Sequence, residues 1–163
     1  MRAILISSIV LLNIGCDQIS KNIVRNKIKD NEIINVVKDN IVLKIVENPG
    51  AILGLGGNLP NALKTFYFQI LPIIFLLFLL RMIIIETEFS KLTVIGIAFA
   101  IGGGVGNIYD RIFYGSVTDF IIVEIGLFKT GVFNTADISI IIGIILAFLG
   151  IIIDAKKSQK ASL

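Results

Sequence analysis

The sequence predicts an α-helical integral membrane protein with four transmembrane helices and a small β-sheet in the loop between helices 1 and 2. Three observations carry this expectation. The 163 residues are 55% hydrophobic and only 17% charged, with a mean hydropathy of +0.91. A soluble domain of this length is nearer a quarter charged, so a bilayer is the solvent that accommodates the apolar excess. Four apolar segments each approach the ~20 residues needed to cross hydrocarbon. Between the first two lie short runs in which apolar residues alternate, the period of a strand. The chain reads as one membrane domain over residues 1–163, with spans at about 3–24, 66–85, 92–109 and 135–153 and loops at 25–65 and 110–134.

The elements follow in order. "AILISSIVLLNIGC" (Ala3–Cys16) extends as helix to Val24, a length of roughly 33 Å at 1.5 Å per residue. "EIINVV" and "NIVLKIV" are the two strand candidates, a sheet lying on the membrane surface. "NPGAILGLGG" (Asn48–Gly57) is a glycine-rich turn region before the second span, Phe66–Ile85, where Arg81 sits near enough to the end to snorkel. The third span is Leu92–Tyr109. Only "ETEFSK" joins spans two and three, so they form an antiparallel hairpin. The fourth carries the apolar run Ile138–Ile153, and a short polar tail follows Asp154.

Crossing parity then fixes sides. The end of span one, both long loops and the start of span four share one face of the membrane; the chain termini and the short loop share the other. Arg2 and the tail lysines Lys156, Lys157 and Lys160 favour a cytoplasmic location for the termini. The long loop is also rich in Lys and Arg, so charge alone leaves the orientation open.

Composition also bounds the chemistry. There is no His and a single Cys, which removes Ser-His and Cys-His catalysis, most zinc sites and any internal disulfide framework. No metal or cofactor is expected. The basic residues lack the aromatic interleaving of a nucleic-acid surface. The chemistry is left to carboxylates, amides, hydroxyls and lysines.

"LLNIGCDQISK" (residues 11–21) has two readings. With Arg2 before an apolar run and small residues ahead of Cys16, it imitates the end of a lipoprotein signal peptide. Asn13 stands where such a box normally has Leu, and three more spans follow. The expectation is that Cys16 is a small residue within helix one and that the N-terminus is retained.

Parity gathers Asp17, Asp110, Asp119 and Asp137 on one side of the membrane, at or just beyond span ends. Asn107 and Asn134 each precede an Asp by three residues, which on a helix shares a face. Any one of these acids alone reads as an interfacial anchor, and Asp137 alone as a helix N-terminal charge. Four converging acids in a chain without His point further. Two carboxylates held together share a proton, so one acts as base toward a water and the other as acid toward a carbonyl. This is aspartic-protease chemistry. A transporter or assembly subunit that uses acids to hold ions stays open as the other class, though it calls for acids facing each other across the midplane rather than at one surface. In "GGGVG" the small residues Gly102 and Gly106, at i and i+4, read as a helix-packing stripe. No Lys-Ser/Thr follows, so it is not a phosphate loop.

In this order, "DQISK" (Asp17–Lys21), "NPGA" (Asn48–Ala51), "GGGVGNIYDR" (Gly102–Arg111), "GSVTDF" (Gly115–Phe120) and "FNTAD" (Phe133–Asp137) resemble the boxes of bacterial lipoprotein signal peptidase, the signal peptidase II family. The resemblance implies an aspartic endopeptidase of the inner membrane, with cytoplasmic termini and with the sheet and active site on the extracytoplasmic side; a monomer is expected, although the sequence leaves the oligomeric state open. Its partners would be membrane lipid and diacylglyceryl-modified prolipoproteins, cut just before the modified cysteine. Asp119 and Asp137 match the family's catalytic pair. Asp17, Lys21, Asn48, Gly50, Asn107, Asp110, Arg111 and Asn134 match its supporting positions. Asp110 is the rival for the first catalytic place; it reads as structural because a neighbouring cation, Arg111, would keep it ionised. The chain departs from the family at Pro49 and at Ile52-Leu53, which stand where a small residue and then Phe are usual.

Overall fold

The structure is a computed structural model that describes residues 1–29, 31–37, 40–51 and 54–161. Ile52 and Leu53, two of the departures above, lie outside the described residues, as does the side chain of Lys160. Four long apolar helices form the body: α1 (Arg2–Lys27), α2 (Asn61–Ile85), α3 (Lys91–Phe113) and α4 (Thr135–Ala161). All four predicted spans are present, each somewhat longer than its apolar run.

α3 is the hub. Its small-residue face, from Gly96 to Gly106, is buried against α1 and α4. A methyl group on Gly103 would fall 2.4 Å from the Ala136 carbonyl of α4, and one on Gly106 would fall 2.6 Å from the Asp17 carboxylate of α1. The stripe therefore packs helices, as its spacing predicts, and also lets a carboxylate approach the α3 backbone. Ile6, Ile83, Val94, Ile97, Ala98 and Ile101 close the core between α1, α2 and α3. Leu11, Leu12, Ile74, Phe75, Phe78, Ile144 and Phe148 point outward, more than half exposed, as lipid-facing side chains do.

One turn of α2 is irregular. Phe66–Ile70 form a π-helical turn in which the Leu71 N–H reaches back five residues to the Phe66 carbonyl. Pro72 supplies the reason: it has no N–H for the Phe68 carbonyl, and its ring would clash with that carbonyl in a regular α-turn.

The sheet has four antiparallel strands in the order β1 (Ile34–Val37), β2 (Ile41–Asn48), β3 (Val117–Ile125) and β4 (Phe128–Lys129). β1 and β2 are the two strands expected between α1 and α2. β3 and β4 come from the second loop, where the sequence pattern gives no strand. β2 and β3 form the centre, with Leu43 opposite Ile121 and Val46 opposite Asp119, so β2 carries one extra residue in a bulge beside Asp119. Val24, Ile28 and Phe120 seat the sheet on the end of α1.

Candidate active site

The first turn of α4 is built by a reciprocal cap. The Asn134 Oδ1 accepts the Asp137 N–H at 3.0 Å, and the Asp137 Oδ2 accepts the Asn134 N–H at 3.1 Å. This is the capping-box arrangement, with Asn and Asp in place of Ser and Glu. It holds the Asp137 carboxylate against the helix start, and the second oxygen, Oδ1, accepts from the Asn107 Nδ2 at 2.9 Å.

Asp119 reaches the same place from β3. Its Oδ1 accepts from the Asn134 Nδ2 at 2.6 Å and its Oδ2 from the Asn48 Nδ2 at 3.0 Å. Asn134 thus touches both acids: its side-chain N–H₂ meets Asp119 and the Asn107 Oδ1 (3.1 Å), and its oxygen and backbone N–H meet Asp137. It is fully buried with its polar atoms paired, as a buried amide needs to be. Burial pushes the Asp119 carboxyl above the usual carboxylate range. The amides of Asn48 and Asn134 oppose that, nearby Asp137 adds to it, and Lys21 pulls it down.

Behind the amides lies a buried charge cluster. Lys21 is completely buried and spends its three N–H donors on the Asp17 Oδ2 (2.8 Å), the Asp110 Oδ2 (3.0 Å) and the Asn107 Oδ1 (3.0 Å). The last contact orients Asn107: its oxygen faces Lys21 and its nitrogen faces Asp137. Asp17 also caps α4 from outside, its Oδ1 accepting from the Thr135 hydroxyl at 2.9 Å and the Ala136 N–H at 3.0 Å, a favourable place for an anion.

Asp110 requires a correction. Among the described residues its ion-pair partners are Lys21 and Arg25 rather than Arg111. Adjacent residues on a helix point about 100° apart, and Asp110 turns inward to Lys21 and to the Arg25 Nη2 at 3.1 Å. Arg111 turns instead toward the β2–α2 loop, where its Nη2 donates to the Gly50 carbonyl at 2.9 Å beside the Phe68 ring. The Gly50 N–H in turn donates to the Asn48 Oδ1 at 3.0 Å.

Asn48, Asn107, Arg111, Asp119 and Asp137 all line a cavity of about 830 Å³, with Gly50 just behind Arg111. Asp17, Lys21 and Asp110 stand behind them, in the bundle. The remaining walls are largely apolar and come from Tyr67, Phe68 and Pro72 of α2 and from Ile140 and Ile141 of α4. Tyr67 and Ile141 are 47% and 58% exposed, so this wall of the cavity runs on into the apolar outer surface of α2 and α4. Among the described residues no cluster of acids, Cys and His has the makings of a metal site. The sequence pattern omits Gln18, Arg25, Thr118 and Thr135 from the site. The signal for Arg25 was its spacing: Asp17, Lys21 and Arg25 fall at i, i+4 and i+8 on one stripe.

Fold and site together define a polytopic membrane protein with two carboxylates tied to one buried asparagine at a largely apolar cavity. Comparison with known proteins narrows this. The family model Signal peptidase (SPase) II matches residues 9–153, and the chain belongs to that family. A curated relative, the lipoprotein signal peptidase of Borrelia hermsii, is 38% identical over 106 residues, a stretch covering 62% of this chain and 61% of the relative. The chain thus spans about three fifths of that relative's length. Two solved bacterial membrane enzymes, each 28% identical, superpose with TM-scores of 0.81 and 0.78. They cover 93% and 90% of this chain, and 90% and 91% of their own.

Proposed function

We propose that the protein is an aspartic endopeptidase that removes signal peptides from prolipoproteins, cutting on the N-terminal side of the diacylglyceryl-modified cysteine. The observation that carries this is Asn134, one buried residue whose side-chain N–H₂ donates to the Asp119 carboxylate and whose backbone N–H donates to the Asp137 carboxylate. It holds two carboxyls from different elements on one cavity wall.

The chemistry follows from the pair. Burial favours the protonated form of Asp119, so Asp119 gives its proton to the scissile carbonyl oxygen while Asp137 takes one from the attacking water. The tetrahedral diol then collapses. Asp137 returns its proton to the leaving nitrogen, and a diol hydroxyl re-protonates Asp119, so the pair ends as it began. Asn48, Asn107 and Asn134 hold the carboxyls, Lys21 orients Asn107, and Arg111 fixes the loop at Gly50.

The apolar walls suit a signal-peptide helix and acyl chains arriving through the bilayer. Crossing parity places the acids opposite both termini; with Arg2, Lys156 and Lys157 on the cytoplasmic side, the site faces outward from the inner membrane. One chain supplies every group named, so the monomer suffices.

The test is cleavage of a diacylglyceryl-modified prolipoprotein by purified protein. Asp119→Asn and Asp137→Asn are each expected to lose about 10²–10⁴-fold in kcat. The double variant is expected to be no worse, because the pair acts as a unit. Full activity in either single variant would refute the assignment. Equal cleavage of the unlipidated precursor would refute the substrate.

A further inference from the structure

Arg25 and Thr118 fall outside the catalytic machinery, yet they are wired into its back. One helical turn beyond Lys21, the Arg25 side chain reaches the far face of β3. Its Nε and Nη2 both donate to the Thr118 Oγ1, at 2.9 and 2.8 Å, and Nη2 also pairs with the Asp110 Oδ2 at 3.1 Å. The Thr118 N–H donates to that same Asp110 oxygen at 3.2 Å. The Thr118 hydroxyl hydrogen goes to the Glu47 Oε1 at 2.7 Å, across the β2–β3 pairing. The Arg25 guanidinium lies 3.9 Å over the Tyr114 ring, which fixes its plane. Thr118 is completely buried, with its N–H and hydroxyl both committed.

Strand alternation places residues 118 and 119 on opposite faces of β3. What grips Thr118 from behind therefore sets where Asp119 stands in front. We propose that Arg25, acting through Thr118, is a positioning residue for Asp119; this rests on Asp119 being one of the catalytic pair. The carboxyl has little room for error, since it is held at 2.6 Å by Asn134 and at 3.0 Å by Asn48, and a displacement near 1 Å is enough to cost on the order of 10²-fold in rate.

Three single variants and one double variant of the full-length protein, with Asp119→Asn as reference, test this in one bilayer system, with kcat and KM measured separately well below each melting midpoint. Thr118→Val keeps the shape and loses the hydroxyl; Thr118→Ser keeps the hydroxyl. Arg25→Lys keeps the charge and loses the planar fork, and serves if Thr118→Val fails to accumulate. Thr118→Val and Arg25→Lys are each expected to lower kcat by about 10- to 100-fold with KM within about threefold. Thr118→Ser is expected to restore kcat to within about threefold of wild type, and the Arg25→Lys, Thr118→Val double variant to be no worse than either single. Wild-type kcat in Thr118→Val or Arg25→Lys, with only an earlier melt, overturns the proposal while an inactive Asp119→Asn leaves the catalytic reading standing. Wild-type cleavage by Asp119→Asn removes the premise and the proposal together.

Discussion

Replacing Asp110 by Asn separates the two acids that compete for one role. The Asp110 Oδ2 sits between Lys21 at 3.0 Å and Arg25 at 3.1 Å and also accepts the Thr118 N–H, while Oδ1 accepts from Gln18 at 3.1 Å. Removing one partner from a buried ion pair costs about 3–5 kcal/mol. At roughly 2–4 °C per kcal/mol for a chain of this size, the melting midpoint is expected to fall by about 6–20 °C. Asp119→Asn is a different perturbation. Among the described residues Asp119 makes no salt bridge, and the introduced amide would misplace one N–H₂ against Asn48 or Asn134, a cost of about 1–3 kcal/mol. Thermal unfolding in detergent and cleavage in bilayers measure the two effects. Asp110→Asn is expected to melt early and, assayed cold, to retain cleavage lowered by about 10- to 100-fold, as for the Thr118 and Arg25 variants, because Asp110 also holds Arg25 and the Thr118 N–H. Asp119→Asn is expected to melt about 2–12 °C below wild type and to lose about 10²–10⁴-fold, so the ratio of lost activity to lost stability separates the two. A stable, inactive Asp110→Asn beside an active Asp119→Asn would refute the reasoning and pair Asp110 with Asp137.

Three further outcomes follow from the same geometry. Asn48→Ala removes a donor that favours ionised Asp119, so the carboxyl rises further and the alkaline limb of kcat/KM moves to higher pH; a downward move in a variant that still cleaves would contradict this. Cys16→Ala is expected to leave activity within about threefold, because Cys16 is exposed on an unbroken helix; intact mass showing a lipidated Cys16 as first residue would contradict the retained N-terminus. In a Cys16→Ala background, cysteines at Asn40 and Lys157 are expected to react with an impermeant thiol reagent from opposite sides of the membrane, and same-side labelling would exclude four spans.

The spans, β1, β2 and the grouping of the acids were legible because each rests on local pattern: apolar length, alternation and crossing parity. Asp110 shows where that stops. Its neighbour in sequence is Arg111, but helical geometry sends the two side chains apart, and its partners are Gln18, Lys21 and Arg25 of α1 and the Thr118 N–H of β3. β3 was hidden because "VTDFIIVEI" mixes an apolar run with an acid the site demands, so periodicity alone does not separate strand from loop. The face of Asn48 was hidden too. The bulge between Leu43 and Val46 breaks the period of two in β2, so counting from Leu43 would place Asn48 away from Asp119. Residue spacing did contain Arg25, on the stripe from Asp17 through Lys21, but nothing in one sequence says what a stripe faces.

The exposed apolar wall at Tyr67 and Ile141 changes what concentration means for the proposed reaction. A substrate that reaches the cavity over that wall is already dissolved in the bilayer and competes for the site with hydrocarbon tails. Its driving force is a mole fraction in two dimensions, not a molarity in the surrounding water. Adding inert lipid at fixed amounts of protein and substrate therefore dilutes the encounter, although no bulk concentration has changed. An apparent KM obtained in one detergent or lipid ratio belongs to that surface, and only its ratio to total amphiphile carries over to another.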